Sequence, residues 1–280
     1  MPEKVLLFSV CLIILSIASE STAEVKIAVL DSGCNIEYER GVSFVDDTPD
    51  DLNGHGTAIA EIIKEINPNA ELYIAKVFTQ NGRSMDTTPF VKGINWAISH
   101  RVDLINLSWQ TYMGEKAIHD AIRNACRQGI TIVAAAGNKD GIVAALIQEL
   151  SKYSQGQNVS TGVEYPARYK EVVAVGAIRS FWRFNRHEEY SPIGPEIEFV
   201  CDGSYGSQKG TSFAAARATA IISRIKADRP GIDGAQLREA LRIHACDVGE
   251  KGRDTKFGYG RLDVKWTIGR EYAIREFVEK

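Results

Sequence analysis

The chain has 280 residues, of which 44% are hydrophobic and 25% charged, so it holds enough apolar material for a large globular domain. Its 33 Lys and Arg residues nearly balance 36 Asp and Glu residues, and the formal net charge is −3. No run of basic residues stands out in the sequence, so we do not expect nucleic acid as a partner.

The N-terminal residues 1–23 are typical of a secretory signal peptide. Lys4 precedes an apolar stretch from Val5 to Ala18, and small residues ending at Ala23 follow at the spacing of a cleavage site. The stretch is shorter than the roughly 20 apolar residues of a membrane span, and a retained anchor is the alternative. We therefore predict a secreted or periplasmic protein whose domain covers 24–280, without membrane contact after cleavage.

Cysteine usage leaves the disulfide pattern open. Cys11 lies in the predicted signal peptide, and the cysteines that remain are Cys34, Cys126, Cys201 and Cys246. An even number in an exported protein allows disulfides, with three pairings if all four cysteines are used. Free cysteines are equally often small buried apolar residues, so both interpretations stand.

Strands and helices alternate along the chain. In chain order we predict a strand at Val25–Leu30, a helix at Ala58–Ile66, a strand at Glu71–Phe78, a helix from Phe90 to Ile98, a strand at Leu104–Trp109, a helix from Ala117 to Ala125, a strand at Thr131–Ala136, an amphipathic piece at Val143–Leu150, strands at Val172–Ala177 and Ile197–Cys201, and helices at Phe213–Ile225, Gln236–Ala245 and Val264–Val278. This alternation predicts a parallel sheet with helices on both faces, in which ligands gather at the carboxyl ends of strands.

Four polar residues lie at turns beside strand ends or helix starts: Asp31, His55, Asn138 and Ser212. Attack on an amide needs a nucleophile, a base, a group that orients the base and donors for the oxyanion, and these residue types can supply all four. Singly, each has an ordinary structural explanation, as a turn former, a loop histidine or a helix cap. Together they favour hydrolysis through a serine.

The segments around these residues resemble the sequence blocks of the subtilisin-like serine proteases. The blocks are Val-Leu-Asp31-Ser-Gly, Asn-Gly-His55-Gly-Thr, Ala-Ala-Ala-Gly-Asn138 and Gly-Thr-Ser212-Phe-Ala, in that family's order of aspartate, histidine and serine. The resemblance extends over roughly residues 25–268. It implies a three-layer αβα fold with a mostly parallel central sheet.

The resemblance also implies a role for each residue. Ser212 would attack the carbonyl, His55 would move the proton and Asp31 would orient the imidazole, while Asn138 and the Ser212 backbone N–H would bind the oxyanion. It predicts a serine endopeptidase with polypeptide substrates and no required cofactor. A catalytically silent peptide-binding relative and acyl transfer other than hydrolysis are the alternatives. No pro-domain is visible before Glu24. The sequence therefore leaves open whether the chain folds unaided, with a separate helper or inhibitor, or with the aid of disulfides.

Substrate contacts follow from the same resemblance, which places the peptide between two walls as an added strand. The predicted walls are Ser108, Trp109 and Gln110 on one side and Ala135, Ala136 and Gly137 on the other. Trp109 and Gln110 are larger than the usual residues, which narrows the predicted cleft. Glu164 falls where the base of the first specificity pocket is expected and would favour Arg or Lys before the cleaved bond. An exposed loop glutamate is the alternative.

The chain departs from the family pattern at several positions. Ala58 replaces a usual histidine, and Ala214 to Arg217 replaces Ala-Ser-Pro-His, which we interpret as changed packing. A calcium-binding loop found in many relatives is absent after Ile66. The acidic residues Asp46, Asp47, Asp50 and Asp51 could offer oxygen ligands to calcium, but a solvated loop is the favoured interpretation, and we predict no metal site.

Overall fold

The computed structural model describes residues 23–79, 86–139, 162–181 and 184–264. Three predictions lie outside this part of the chain: the signal peptide, the amphipathic piece at Val143–Leu150 and almost all of the tail helix from Val264 to Val278. No helix in the described part has both the length and the apolar character that crossing a bilayer requires.

Strands and helices alternate through most of residues 26–135, as the sequence predicts, whereas only strands are described between residues 173 and 209, and three of these, each of two to four residues, were not predicted. The strands are β1 (Lys26–Asp31), β2 (Arg40–Ser43), β3 (Glu71–Lys76), β4 (Leu104–Leu107), β5 (Thr131–Ala135), β6 (Val173–Phe181), β7 (Phe184–His187), β8 (Phe199–Asp202), β9 (Ser204–Tyr205) and β10 (Gln208–Lys209). The helices are α1 (His55–Ile66), α2 (Thr88–Ser99), α3 (Lys116–Arg127), α4 (Thr211–Asp228) and α5 (Gly234–His244).

The central sheet has the strand order β2-β3-β1-β4-β5-β6-β7, and β8 pairs with β6. Every pairing among these strands is parallel except that of β6 with β7, so the predicted mostly parallel sheet is confirmed. Asp31 pairs with Lys76, and Leu30 pairs with Leu107. The carboxyl ends of β1, β3 and β4 therefore meet at one edge, where ligands of such sheets bind.

Two apolar cores lie on opposite faces of the sheet and make the fold three-layered. Ile27 and Val29 belong to the core with α1, α4 and α5, whereas the alternate residues Ala28 and Leu30 belong to the core with α2 and α3. Because successive side chains of a strand point to opposite faces, a strand buried on both sides is apolar throughout. The predicted αβα fold class is thus confirmed.

The alanine-rich α4 lies deep in the molecule, where it packs on α1 and on the sheet. Ala214, Ala215, Ala216, Ala218 and Ala220 are each 0% exposed. Small side chains allow the helix axis to come close to the sheet, and this places the start of α4, with Ser212, beside the strand ends.

Candidate active site

Asp31 and His55 form the first contact of the site. Asp31 is the last residue of β1 and fully buried, while His55 is the first residue of α1 and its side chain is 24% exposed. His55 Nδ1 lies 2.7 Å from Asp31 Oδ1. Burial alone would lower the pKa of His55, but the charge of Asp31 and the hydrogen bond to it raise that pKa above its ordinary value, with a contribution from Asp51.

Two glycines allow α1 to approach the end of β1 this closely. A Cβ atom on Gly56 would lie 2.2 Å from the carbonyl oxygen of Gly33 and 3.1 Å from the Cβ of Asp31. Gly33 itself has φ +115, and a Cβ atom there would lie 2.4 Å from the carbonyl oxygen of Pro49. A side chain on Gly56 would push α1 away from Asp31, whereas one on Gly33 would collide with the backbone of Pro49 and Asp50.

Asp51 holds the loop that leads into α1. Its Oδ1 accepts from the backbone N–H groups of Asn53 and Gly54 at 2.9 Å and 2.8 Å, and its Oδ2 accepts from the N–H and the hydroxyl of Thr57 at 2.8 Å and 2.7 Å. The Ser32 hydroxyl also donates to Oδ1, at 2.9 Å. Burial alone would raise the pKa of Asp51, but these hydrogen bonds hold it below its ordinary value.

Ser212 is the second residue of α4 and is 5% exposed. Its hydroxyl donates to the carbonyl oxygen of Ser108 at 3.1 Å, and the hydroxyl of Ser108 donates to the carbonyl oxygen of Ser212 at 3.1 Å. The rings of His55 and Phe213 lie 5.8 Å apart between centroids, which places the imidazole against the neighbour of Ser212. The predicted serine, histidine and aspartate are therefore brought together.

Asn138 follows β5 and faces the start of α4. The backbone N–H of Thr211 donates to Asn138 Oδ1 at 3.0 Å. Since an N–H can only donate, this contact fixes the orientation of the amide and makes Nδ2 its donor end. The Thr211 hydroxyl binds the adjacent loop as well, donating to the Gly137 carbonyl at 2.9 Å.

Comparisons with known proteins agree with this geometry. The model of the subtilase family matches residues 22–260. The chain belongs to the subtilase family. It is 35% identical to the minor extracellular protease Epr of Bacillus subtilis, over 86% of this chain and 38% of that protein. It is 30% identical to subtilisin DY of Bacillus licheniformis, over 87% of this chain and 90% of that protein.

Solved structures show the same fold. A lanthipeptide protease gives a TM-score of 0.72 at 22% identity, covering 88% of both chains. Fervidolysin from Fervidobacterium pennivorans, a keratinolytic enzyme related to subtilisin, also gives 0.72, at 20% identity and over 43% of its own chain. The present subtilase spans about two fifths of Epr, and its alignment covers 65% of subtilisin NAT.

Glu164 is buried beside Gly137 and Asn138 of this subtilase rather than exposed in a loop. It is 3% exposed, and a Cβ atom on Gly137, which has φ +114, would lie 2.5 Å from its Oε1. Its Oε2 has no hydrogen-bond partner among the described residues. Burial raises the pKa of Glu164 to about 8, and the backbone N–H of Asn138 acts in the opposite direction.

The predicted walls end up on neighbouring strand ends. Ser108, Trp109 and Gln110 follow β4, and Ala135, Ala136 and Gly137 end and follow β5. These strands pair in parallel, so the two segments leave the same edge of the sheet. Trp109 is 8% exposed, its ring lies 3.9 Å from that of Phe90, and its Nε1 has no partner within the described ranges.

The two departures from the family pattern are accommodated by packing. Ala58 is buried at 3% exposure in the core between α1 and the sheet. Arg217 donates through Nη1 to the carbonyl oxygens of Asp202 at 3.1 Å and Phe213 at 3.4 Å. The guanidinium thus binds backbone acceptors instead of the reacting groups.

Two of the four acidic side chains in the loop before α1, those of Asp46 and Asp51, are engaged within the protein. Asp46 accepts from the buried Lys76 at 2.6 Å, and Lys76 also donates to the carbonyl oxygen of Asp50 at 2.8 Å. The carboxylate of Asp51 accepts the hydrogen bonds from Ser32, Asn53, Gly54 and Thr57 described above. No group of three or more metal-ligating side chains is placed to hold an ion in the described part of the chain.

The described cysteines form no disulfides, and two of them, Cys34 and Cys201, are buried as the second interpretation expects. The cysteines Cys34, Cys126, Cys201 and Cys246 are all free thiols. Burial raises the pKa of Cys34 and Cys126 to about 11 and that of Cys201 to about 12, so all three are protonated and unreactive at neutral pH.

Proposed function

We propose that this chain is a serine endopeptidase that hydrolyses peptide bonds through an acyl-enzyme on Ser212. The observation that carries the proposal is the 2.7 Å hydrogen bond between His55 and Asp31, on a helix packed against the one that bears Ser212. Family membership supports the same chemistry, since the relative Epr is itself named a protease.

In the first half of the reaction, the Ser212 hydroxyl turns from the Ser108 carbonyl to His55 Nε2 and attacks the substrate carbonyl carbon. His55 takes the hydroxyl proton, and the buried carboxylate of Asp31 keeps the other imidazole nitrogen protonated and stabilises the imidazolium. A bond forms between Ser212 Oγ and the carbon, and an electron pair moves onto the carbonyl oxygen. His55 then protonates the nitrogen as the carbon–nitrogen bond breaks, and the amine leaves.

In the second half, water replaces the amine. His55 takes a proton from the water as the water oxygen bonds to the acyl carbon, and then returns that proton to Ser212 Oγ as the ester bond breaks. The second product leaves as a carboxylic acid, and the serine hydroxyl is restored.

Charge on the carbonyl oxygen is stabilised by the Nδ2 hydrogens of Asn138 and by the backbone N–H of Ser212. The hydrogen bond from Thr211 supports this role of Asn138, because it fixes which end of the amide can donate. A donor held in place before the reaction needs no reorganisation as the charge develops.

For specificity, we propose that Glu164 binds Arg or Lys before the cleaved bond. A buried carboxyl oxygen without a hydrogen-bond partner among the described residues, next to Gly137 on a proposed wall, is a position that a cationic side chain would fill. Cleavage rates of matched peptides with Arg, Lys, Phe or Leu at that position test the proposal, beside Glu164→Gln and the exposed control Glu250→Gln. A preference for Phe or Leu in the parent enzyme would contradict it.

Export is part of the proposal and rests on the sequence of residues 1–23. Sequencing the N-terminus of the protein recovered from the culture medium or periplasm tests it, with Glu24 expected as the first residue. An N-terminus at Met1 in a cell-retained protein would contradict export.

Hydrolysis itself is tested with the purified chain from Glu24 and its Ser212→Ala variant, on casein and on peptides, together with labelling by a fluorophosphonate probe. We expect activity and labelling in the first protein and neither in the second. Two folded but inert proteins would favour the silent peptide-binding relative. Product analysis with an added amine acceptor separates hydrolysis from acyl transfer.

A further inference from the structure

Asp51 is a second buried acid beside the proposed triad. It is 5% exposed and accepts five hydrogen bonds, from Ser32, Asn53, Gly54 and twice from Thr57. Both of its oxygens accept backbone N–H groups, so an ionised carboxylate fits the site and an amide must turn its own N–H₂ toward a donor. The side chain is therefore built into the structure as an anion.

The Ser32 hydroxyl lies between the two acids and has a single proton to donate. Its oxygen is 2.9 Å from Asp51 Oδ1 but 3.3 Å from Asp31 Oδ1. Only the shorter distance falls in the ordinary range for an O–H···O hydrogen bond, so the proton goes to Asp51. The lone pairs of the same oxygen accept from the backbone N–H of Gly56 at 3.0 Å, in the first turn of α1.

We propose that Asp51 is a positioning residue for the reaction. Asp51 accepts the hydrogen bond of the Ser32 hydroxyl, so that this hydroxyl does not donate to Asp31. The negative charge of Asp31 then remains available for the imidazole of His55. Asp51 also fixes the first turn of α1, on which His55 stands, and places a second negative charge behind that ring. This inference rests on the proposed function, because it assigns a residue to the same reaction.

His55 is the group that reports on this arrangement. The charges that act on it within the described residues are those of Asp31 and Asp51, and its ring is flanked by the uncharged rings of Phe78 and Phe213. Neutralising Asp51 removes one negative charge, which lowers the pKa of His55. It also releases the Ser32 hydroxyl to donate to Asp31, and a carboxylate that accepts a further hydrogen bond stabilises the imidazolium less.

The experiment is an NMR titration of the His55 imidazole in the parent protein, in Asp51→Asn and in the control Asp47→Asn, an exposed acid of the same loop. We expect the Asp51 variant to titrate lower by about 0.5 to 1 pH unit and to lose about tenfold or more in kcat, with the acid limb of kcat/KM moving the same way. We expect the control to match the parent. A loss of kcat with an unmoved titration would show a merely structural role and overturn the proposal.

A second variant, Ser32→Ala, tests the assignment of the Ser32 proton to Asp51, on which the proposal depends, even if Asp51→Asn does not fold. Because the hydroxyl serves Asp51, its removal is expected to leave the His55 titration within about 0.2 pH unit of the parent. A shift to higher pH would mean that the proton had been on Asp31, which overturns the proposal. The titration needs no enzymatic activity, so it is independent of whether the proposed hydrolysis is found.

Discussion

Ser108 and Ser212 exchange hydrogen bonds, each hydroxyl donating to the carbonyl oxygen of the other at 3.1 Å. The pair joins the end of β4 to the start of α4, two elements far apart in the sequence. Ser108 Oγ also accepts from Asn106 Nδ2 at 2.9 Å, and all three side chains are buried. This relationship holds the proposed nucleophile at the strand edge before any substrate arrives.

Replacing Ser108 with alanine is expected to destabilise the fold. The change leaves the carbonyl oxygen of Ser212 and the amide of Asn106 without their buried partners, which costs about 1–3 kcal/mol in the free energy of unfolding. Urea unfolding measures the loss, and Ser207→Ala, at an exposed position, is the matched control. Equal stability of the two variants would show that the exchanged bonds add little.

The oxyanion role of Asn138 is tested by Asn138→Leu, which keeps the size of the side chain but cannot donate. In subtilisin the loss of such a donor lowers kcat by about 10²–10³, and we expect the same order here with KM little changed. Steady-state kinetics on one peptide separate the two constants. A large rise in KM with kcat retained would instead indicate a role in ground-state binding.

The pH profile depends on His55. Because the pKa of His55 is raised, kcat/KM should fall as the pH drops through a value above that of an ordinary histidine. Asp31→Asn removes the charge that raises this pKa, so the acid limb should move to lower pH, and kcat should fall by roughly 10⁴, as in trypsin. A profile that is flat from weakly acid to weakly basic pH would argue against His55 as the base.

Glu164 should make stability depend on pH. Burial raises its pKa in the folded protein to about 8, so above the ordinary glutamate pKa the folded state holds a proton that the unfolded state has released. Stability from this group is complete at low pH and is lost as the pH rises toward that value. Glu164→Gln should therefore gain stability relative to the parent between about pH 5 and pH 8, measured by urea unfolding. A constant difference across that range would contradict the burial argument.

Much of the fold follows from local sequence, and the errors have local causes. The buried strands β1, β4 and β5 are apolar runs, and their predicted ends differ from the observed ones by one or two residues because pairing, not composition, decides where a strand stops. The edge strand β2 was not predicted. Its four residues, Arg40 to Ser43, are half-buried or exposed and include a glycine, so they carry no apolar pattern.

The site, like the fold, was predicted in part from local sequence. Asp31, His55, Asn138 and Ser212 were predicted from their motifs, and the structure brings them to one edge of the sheet. Ser32 and Asp51 were not predicted as part of the site, because a serine and an aspartate in turns look alike whether they face solvent or each other. The start of α1 at His55, ahead of the predicted Ala58, has the same origin, since hydrogen bonds to Asp51 and not apolar spacing define that turn.

The four residues of the proposed site come from four separate segments, and the segment with the nucleophile is the last of them in the chain. When synthesis has reached the end of β8, the chain contains Asp31, His55 and Asn138 but not yet Ser212. Because domains of this size fold as units, the proposed hydrolysis requires that α4 has been made and has packed on the sheet. The order of segments along the polypeptide therefore makes the proposed activity a property of the finished domain.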